Sequence, residues 1–266
     1  MGVFDINGNN LGGNPFLQNA LVERGVFRDV QYYLVRINKK KFDGQVQYPF
    51  VIAPNGMGAA QYSALDYVSS HNYPFIINAG KFDNSSGGTK APEGVLIING
   101  QVLNNTPYSN WEVLTINQSG DLGYAPYDAD AFELQSDGIV SALVGVGGML
   151  INNYVGRTLE QYPHPDGWAA NAQRQIIGQF GNGDYVIITA EGRNYDNTPT
   201  GWTLGDAVEF MVERNIKFAY DLDGGGSAET VVGKKQLNSI YEGTTGRKVP
   251  VFIVFNGTTS YGEPEE

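Results

Sequence analysis

A run of three glycines at residues 224–226 follows closely on an apolar stretch at residues 216–220. Adjacent glycines are poor strand and helix formers, so they predict a turn in which the backbone takes a positive φ or lies against a neighbouring group. Asp221, Asp223 and Ser227 surround these glycines. A turn in a purely structural role needs one or two glycines, so this combination indicates a functional turn at the end of a buried strand.

We call residues 221–227 the glycine turn. Consecutive main-chain N–H groups in such a turn form a concave anion site, and ligands of open sheets tend to bind beyond the carboxyl ends of strands. A helix predicted at residues 203–215 precedes the apolar stretch, so Asp221, Asp223 and Ser227 are expected to emerge together at a strand end. The sequence therefore predicts a ligand site at the glycine turn.

Three familiar glycine motifs do not fit this turn. Glu229 stands where a nucleophile elbow that begins at Gly225 requires its second glycine, and it also takes the place of the last glycine of a dinucleotide-binding fingerprint. No Gly-Lys-Ser follows at the spacing of a phosphate-binding P-loop. The glycine turn therefore belongs to none of these three classes.

The composition indicates one large globular domain. Of 266 residues, 41% are hydrophobic and 35 are glycine, and many short apolar runs are separated by turn residues. This pattern predicts an α+β fold with strand-rich mixed sheets and a few packed helices. We expect an N-terminal arm at residues 1–29, the domain at residues 30–257 and an acidic tail at residues 258–266.

Apolar, β-branched and aromatic runs bounded by Gly, Asn, Asp and Pro predict the strands. The predicted strands are residues 30–37, 74–78, 94–98, 112–116, 139–144, 185–190, 218–222 and 251–255. Helices are predicted at residues 59–70 and 203–215. The second begins with Thr203 as a capping residue, with Asp206 three residues on and apolar residues at helical spacing.

Charge and residue content exclude several functions. A net charge of -11 repels polyanions, so nucleic acid is not an expected partner. No apolar run reaches the roughly 18 residues of a membrane span, and the first thirty residues lack a signal-peptide pattern, so no membrane partner is expected. Because the chain has no cysteine and only His71 and His164 as histidines, neither a zinc site nor a Ser-His-Asp triad is expected. No metal or other cofactor is predicted, and a divalent cation has no support in the sequence.

The segment DLDGGGSAETVV at residues 221–232 resembles the signature of the phosphodiester glycosidase family, which usually reads NLDGGGSST. Other patterns of that family resemble segments in the same order along the chain. In the family's own letters, these patterns are INGGFF, a strand with an NG turn, PRTAIG, DGR, TL and ERPVP. The segments of this chain that resemble them are, in the same order, residues 77–82, residues 92–100, Arg174 with residues 177–178, residues 191–193, residues 203–204 and residues 246–250. The resemblance spans residues 30–256.

The resemblance implies hydrolysis of a sugar-1-phosphodiester at its glycosidic bond, which releases the sugar and leaves a phosphomonoester on the acceptor. The expected partner is a phosphodiester-linked glycan of a cell surface or extracellular polymer, such as exopolysaccharide, capsule or teichoic acid. A phosphate leaving group has a second pKa of about 6, so its departure requires charge stabilisation more than strong protonation. Bidentate guanidinium contacts suit its geometry.

Asp223 is the carboxylate that we expect to be catalytic, as nucleophile, as base for water or as stabiliser of an oxocarbenium-like transition state. Asp221 and Glu229 are the second candidates, and the sequence leaves these roles open. Asn78 is expected to bind sugar hydroxyls or to orient the carboxylate. The residues expected to bind the substrate or its phosphate are Arg174, Arg193, Arg247, Gly224, Gly225, Gly226, Ser227 and Asn78.

The chain also departs from the family pattern. Asp221 stands where most members have Asn, and Lys81 stands where they have Phe. Both residues change the charge of a site that accepts a phosphodiester. A second hypothesis is therefore a non-catalytic glycan-binding or structural component of a phage tail or baseplate. Residues 4–13, FDINGNNLGG, resemble the openings of tail proteins of phages that infect Gram-positive bacteria, so other virion tail proteins and a location at the bacterial surface are expected in that case.

Overall fold

The computed structural model describes residues 4–5, 20–40, 44, 46–71, 73–192, 201–240 and 245–255. The strands in these residues are β1 (Phe4–Asp5), β2 (Ala20–Phe27), β3 (Val30–Ile37), β4 (Pro49–Ile52), β5 (Phe75–Asn78), β6 (Leu96–Ile98), β7 (Gln101–Asn104), β8 (Val113–Asn117), β9 (Leu122–Ala125), β10 (Ile139–Val144), β11 (Gly148–Asn152), β12 (Val155–Gly156), β13 (Arg174–Phe180), β14 (Tyr185–Ala190), β15 (Ile216–Asp221), β16 (Thr230–Val232), β17 (Lys235–Gln236) and β18 (Phe252–Phe255). The helices are α1 (Ala64–Ser70), α2 (Ala131–Ser136), α3 (Pro165–Ala169) and α4 (Leu204–Glu213).

The strands form three sheets. An eight-stranded sheet has the order β1-β2-β3-β14-β13-β15-β11-β12, and two five-stranded sheets have the orders β7-β6-β10-β8-β9 and β17-β16-β5-β18-β4. In the part of the chain that the structure describes, neighbouring strands are antiparallel except β1 and β2, which are parallel. The predicted α+β class with one domain is confirmed.

All three sheets contribute to one central core. Ile177 and Tyr220 enter it from the eight-stranded sheet, Ile77 and Ile253 from one five-stranded sheet, and Leu114 from the other. Each of these side chains is fully buried. Burial of facing apolar surfaces stabilises the fold by about 25 cal/mol per Å², so the central core holds the three sheets together.

A helix covers the outer face of each sheet. Phe210 of α4 lies in one apolar cluster with Ile188 of the eight-stranded sheet. Val68 of α1 lies in another with Phe252 of β18, and α2 contributes Ala131 to a third cluster on the remaining sheet. An antiparallel sheet with two apolar faces needs such cover on both sides, and in this fold short helices provide it on the outer faces.

The two predicted helices are present with changed boundaries, at Ala64–Ser70 instead of residues 59–70 and at Leu204–Glu213 instead of residues 203–215. Thr203 caps α4 as predicted: its Oγ1 accepts from the N–H of Asp206 at 3.0 Å, and an Asp206 oxygen accepts from the N–H of Thr203 at 2.9 Å. The other helix begins at Ala64 instead of residue 59, because Ser63 is its capping residue and its Oγ accepts from the N–H of Asp66 at 3.1 Å. Local capping chemistry fixes both starts.

Part of the predicted N-terminal arm is a strand in the structure. Strand β2 pairs with β3 along its whole length, with Ala20 opposite Ile37 at one end and Phe27 opposite Val30 at the other. The turn between them consists of Arg28 and Asp29, which both have positive φ values of 52° and 60°. Glycine or asparagine usually occupies such positions, so the sequence carries no turn signal there. The predicted acidic tail at residues 258–266 lies outside the described residues.

The other predicted strands lie close to their expected places. Strands β3, β10 and β14 have the predicted bounds, whereas β15 begins two residues earlier than predicted, at Ile216, and ends at Asp221. Strands missing from the prediction include β11 and β13, which flank β15 on its two sides. Among the described residues, no helix has the length and apolar character that crossing a membrane requires.

Candidate active site

The site is built at the carboxyl end of the inner strand β15. Asp221 is the last residue of this strand and pairs with Ile176 of β13 and Gly148 of β11. Because both neighbours run antiparallel to β15, its carboxyl end meets their amino ends. Arg174 opens β13 and therefore lies beside Asp221, which is only 1% exposed.

Arg174 and Asp221 form a buried ion pair, with 3.4 Å between Nη1 and Oδ2. The same guanidinium donates from Nε to the carbonyl of Trp202 at 3.0 Å and from Nη2 to the carbonyl of Ala170 at 2.6 Å. Burial raises the pKa of Asp221 to about 7, although the charge of Arg174 opposes this shift. The ion pair thus lies inside the protein, and the guanidinium of Arg174 is held by protein atoms.

A glycine loop at residues 145–148 closes over Asp221. A Cβ atom on Gly147 would lie 2.1 Å from Oδ2 of Asp221, so only glycine allows this approach. The N–H of Gly145 donates to the hydroxyl of Tyr220 at 2.9 Å, and that hydroxyl donates to the carbonyl of Glu112 at 2.5 Å. Glycines in this loop therefore permit the burial that raises the pKa of Asp221.

Asp223 is half-buried, whereas Asp221 and Glu229 are each only 1% exposed. Its N–H donates to the carbonyl of Ala79 at 2.9 Å. Burial raises the pKa of its carboxyl to about 6, opposed by hydrogen bonds from the Ser227 side chain and the N–H of Gly224 and by the charges of Lys81 and Arg247. Asp223 therefore meets four groups that favour its ionised form.

The glycine turn takes the shape of a short 3₁₀ turn at Gly225–Ser227. Gly225 has a φ of 56°, and its N–H donates to the carbonyl of Gln173 at 2.7 Å. The N–H of Gly224 points to the carboxylate of Asp223. These two N–H groups bond within the protein, which differs from the row of ligand-facing N–H groups that the sequence predicts. The turn instead sets the position of Asp223.

Asn78 connects the two ends of the glycine turn. Its side chain donates from Nδ2 to the carbonyl of Asp223 at 2.5 Å and accepts at Oδ1 from the N–H of Glu229 at 2.9 Å. Asn78 is fully buried at the end of β5. Its amide thus supports the main chain on both sides of the turn, and its contact with sugar hydroxyls stays a prediction.

Glu229 lies at the start of helix α1. Its Oε2 accepts from the N–H of Ala64 at 2.6 Å, and the residue is 1% exposed. Burial raises the pKa of Glu229 to about 8, although hydrogen bonds from the main chain of Ala64 and Arg247 oppose this shift. A Cβ atom on Gly246 would lie 1.6 Å from Oε1. Glu229 therefore fits a role in joining α1 to the strand that follows the glycine turn.

The predicted arginines take different positions. Arg247 is half-buried and donates from Nη1 to Oγ of Ser227 at 3.2 Å, so it lies at the glycine turn beside Asp223. Arg174 lies at the same strand end but inside the protein, paired with Asp221. Arg193 lies outside the described residues. Convergence of all three on one substrate therefore stays a prediction.

Lys81, which the sequence marks as a change of charge in the site, also lies near Asp223, although it was not among the predicted binding residues. Its Nζ donates to Oε2 of Glu93 at 2.8 Å and to the carbonyl of Phe82, and it lies 5.2 Å from the ring centre of Tyr108. Its charge acts on the carboxylate of Asp223. The sequence signal that could have identified this residue is the lysine at position 81, where the family pattern has Phe. Within the described residues, no group of three or more Asp, Glu or His side chains is suited to hold a metal ion.

Comparison with known proteins agrees with the class that the fold and the glycine turn define. The sequence profile of the phosphodiester glycosidase family matches residues 71–256, which is more than half of the chain. The chain therefore belongs to the phosphodiester glycosidase family.

Solved structures with the same fold show low sequence identity. The catalytic domain of zebrafish N-acetylglucosamine-1-phosphodiester alpha-N-acetylglucosaminidase, auto-inhibited by its pro-peptide, has a TM-score of 0.67 and 17% identity over 89% of this chain and 81% of that one. A hypothetical protein from Synechocystis has a TM-score of 0.60 and 13% identity over 89% of this chain and 64% of that one. At these identities the likeness shows the fold.

One curated relative derives from a prophage. The SPbeta prophage-derived uncharacterized protein YomE of Bacillus subtilis strain 168 is 40% identical over 70 residues. The match covers 26% of this chain and only 11% of the relative, which is a much longer protein. The relative is therefore similar to this chain in one segment only.

Proposed function

We propose that this chain hydrolyses the glycosidic bond of sugar-1-phosphodiesters in a cell-surface or extracellular glycan. The observation that carries this proposal is the position of Asp223, a half-buried residue whose carboxylate accepts from the Ser227 side chain and is within reach of the charges of Lys81 and Arg247. A carboxylate for glycosyl transfer beside cations for a phosphate is the combination that this reaction needs. Membership of the phosphodiester glycosidase family supports the same reaction.

The reaction breaks the bond between the anomeric carbon and the phosphate oxygen. The bonding electrons stay with that oxygen, so the phosphate departs as a phosphomonoester, and the oxygen of water forms the new bond to the anomeric carbon. One proton of that water passes to a base. Asp223, with a pKa of about 6, is mostly ionised at neutral pH and suits the nucleophile, base or electrostatic role.

The other two carboxyls fit these roles less well. Asp221 has a pKa raised to about 7 and is enclosed with Arg174. Glu229 has a pKa raised to about 8 and accepts from the first N–H of α1. Both carboxyls are almost fully buried, so a substrate reaches Asp223 more readily. Asp223 therefore remains the first candidate, with Asp221 and Glu229 behind it.

Release of reducing sugar from sugar-1-phosphodiesters tests this proposal. Because the fold neighbour from zebrafish acts on an N-acetylglucosamine-1-phosphodiester by its name, that sugar belongs in the first substrate panel. Asp223→Asn keeps the shape of the side chain and removes its charge, so turnover should be abolished while the melting temperature stays close to that of the wild type. Asp128→Asn, at an exposed position, is the matched control and should keep full activity.

The result also decides between the carboxylates. If Asp223→Asn keeps more than about a tenth of the wild-type rate, a loss of less than about 1.4 kcal/mol, the catalytic assignment passes to Asp221 or Glu229. If the wild type releases no sugar from any member of the panel, the chain does not have the proposed activity.

A second candidate is a glycan-binding component of a phage tail that does not cleave its ligand. The segment of 70 residues shared with the prophage-derived YomE favours a phage setting. Such a protein would bind phosphodiester-linked glycans such as teichoic acid without releasing sugar, and Asp223→Asn would leave that binding unchanged. Glycan binding measured together with sugar release separates this candidate from the enzyme.

A further inference from the structure

The departing phosphate gains negative charge, which a second cation beside Arg247 would stabilise further. A phosphodiester carries about one negative charge, and the phosphomonoester that leaves carries about 1.5 to 2 at neutral pH. Charge therefore accumulates on the leaving group as the bond breaks, and cations near it stabilise the transition state more than the bound substrate. The whole chain has a net charge of -11, so this positive charge must be concentrated locally.

Arg174 does not meet this requirement. Its Nε, Nη1 and Nη2 atoms donate to Trp202, Asp221 and Ala170 respectively. The side chain of Arg174 is 9% exposed and faces a carboxylate that is 1% exposed. A guanidinium that is enclosed and bonded in this way supports the protein interior, so the second cation has to come from another residue.

The main chain places Lys81 beside Asp223. The carbonyl of Ala79 accepts from the N–H of Asp223 at 2.9 Å, and the N–H of Lys81 donates to the carbonyl of Val144 at 2.7 Å. Val144 directly precedes the glycine loop that closes over Asp221. Residues 79–81 are therefore tied to both sides of the site, and the direction of the Lys81 side chain is set by fixed main chain.

The ammonium of Lys81 is held and remains partly accessible. Its Nζ donates to Glu93 at 2.8 Å and to the carbonyl of Phe82, and the Tyr108 ring lies 5.2 Å away. An ammonium has three donor hydrogens, so these two contacts leave one for a ligand. The side chain is 22% exposed, while that of Glu93 is 29% exposed. A positioned cation with one remaining donor is suited to an anionic oxygen.

We propose that Lys81 is a specificity-determining residue that binds a phosphate oxygen of the substrate beside Asp223, in addition to Arg247 at the glycine turn. This inference rests on the proposed hydrolysis of sugar phosphodiesters and names the residue by which the site selects them over neutral glycosides. A neutral glycoside gains nothing from Lys81, whereas a phosphodiester gains a charge-assisted hydrogen bond that strengthens as the phosphate departs.

Two measurements on the same variants test the role of Lys81. The first is the affinity for inorganic phosphate by calorimetry, and the second is kcat/KM for a sugar-1-phosphodiester and for an uncharged aryl glycoside of the same sugar. Lys81→Met should weaken phosphate binding and phosphodiester turnover by about tenfold, the effect of one partly exposed charge contact. Turnover of the aryl glycoside should change little.

Two further variants separate charge from position and folding. Lys81→Arg keeps the charge and should retain most of the phosphate affinity. Lys217→Met removes an exposed cation near the start of β15, the end of the strand away from Asp221, and should change neither measurement. If Lys81→Met and Lys81→Arg lose phosphate affinity equally, the charge of Lys81 is not what binds the anion.

The outcomes for this inference and for the proposed function are distinct. A wild-type protein that releases no sugar from any phosphodiester contradicts the proposed function itself. A wild type that is active, with Lys81→Met equally impaired on the phosphodiester and on the aryl glycoside, contradicts the role of Lys81 and leaves the hydrolysis intact. An unchanged affinity of Lys81→Met for inorganic phosphate would likewise contradict the role of Lys81 and leave the proposed hydrolysis intact.

Discussion

Arg247 and Arg174 show how two arginines near one strand end acquire different tasks. Arg247 is half-buried and reaches Oγ of Ser227, the residue whose side chain also bonds to Asp223. Arg174 is enclosed and balances the charge of Asp221. The sequence presents both as arginines in family-like motifs, so it predicts the same role for both. Burial and hydrogen-bond partners distinguish the residue that can meet a ligand from the one that supports the interior.

Replacement of Arg247 by Lys should lower turnover of phosphodiester substrates at least tenfold, about 1.4 kcal/mol, although the charge is kept. An ammonium is a point charge and does not reproduce the planar fork with which a guanidinium holds both Ser227 and a phosphate oxygen. An uncharged aryl glycoside of the same sugar should react at nearly the wild-type rate.

The matched control for this substitution is Arg28→Lys. Arg28 is exposed and pairs with Glu209 of helix α4 at 2.6 Å, and its exchange should leave both rates unchanged. Equal losses of Arg247→Lys on the charged and the uncharged substrate would mean that Arg247 supports the fold and does not bind the phosphate.

At the scale of elements, the glycine turn presents an open side. A Cβ atom on Gly225 would meet no other atom within 4 Å, and the same holds for Gly138 after helix α2. Both glycines have positive φ values, 56° and 88°. An alanine at either position is therefore strained by its backbone and not by a clash, so the two positions form a matched pair.

Gly225→Ala and Gly138→Ala should each lower the free energy of unfolding by about 1–2 kcal/mol, the cost of a left-handed conformation in an L-residue. Only Gly225→Ala should also raise KM for the sugar phosphodiester, because its methyl group projects into the open space beside Asp223. Denaturant unfolding and steady-state kinetics of both variants check this expectation. A KM for Gly225→Ala that matches that of Gly138→Ala would place the substrate elsewhere.

Elements that depend on local chemistry were predictable from the sequence, and those that depend on distant partners were not. The capping pair of Thr203 and Asp206 predicted the start of α4, and the glycines with their acids predicted a turn after β15. The start of α1 also receives a hydrogen bond from Glu229, which is 165 residues away. The sequence therefore offered Glu229 as a catalytic candidate, and only the fold reveals its contact with α1.

Strand pairing was harder to predict than strand existence. The site needs the amino ends of β13 and β11 beside Asp221, and neither strand was among those predicted. Their apolar residues were visible, but which strands become neighbours is decided by packing across the whole molecule and not by local pattern. The sequence could therefore predict that Asp221 and Asp223 lie at a strand end, but not that Asp221 is enclosed.

For the whole molecule, the carboxyls of Asp221, Asp223 and Glu229 predict how stability depends on pH. Their pKa values are raised to about 7 for Asp221, about 6 for Asp223 and about 8 for Glu229, whereas the unfolded chain ionises such groups near pH 4, about 3.9 to 4.3. The folded protein thus holds more protons than the unfolded chain between about pH 4 and pH 8. Linkage then requires the free energy of unfolding to fall as the pH rises through that range.

Chemical unfolding at pH 5, 7 and 9 should show this decline, and Glu229→Gln should reduce it. Glutamine keeps the oxygen that accepts from the N–H of Ala64 but carries no charge, so the variant should be no less stable than the wild type at pH 9. Asp83 has the opposite effect on the free energy of unfolding, because hydrogen bonds from Ser85 and Thr89 lower its pKa to about 2. This effect is confined to pH values below about 4. A free energy of unfolding that rises between pH 5 and pH 9 would contradict the burial of these carboxyls as protonated groups.

The alternation of side chains along β15 ties the chemistry of this protein to its register. Tyr220 and Leu222 lie in the central core, whereas Ala219 lies in the cluster under α4 and Asp221 follows the same alternation. A slip of β15 by one residue against β13 and β11 would direct Asp221 into the central core and Tyr220 towards α4. Such a slip would bury the carboxylate of Asp221 away from Arg174 and remove the ring of Tyr220 from the central core. The spacing from β15 to Asp223 is therefore fixed by this strand pairing, whereas a change of length in the loop before Ile216 or after the glycine turn does not shift the register.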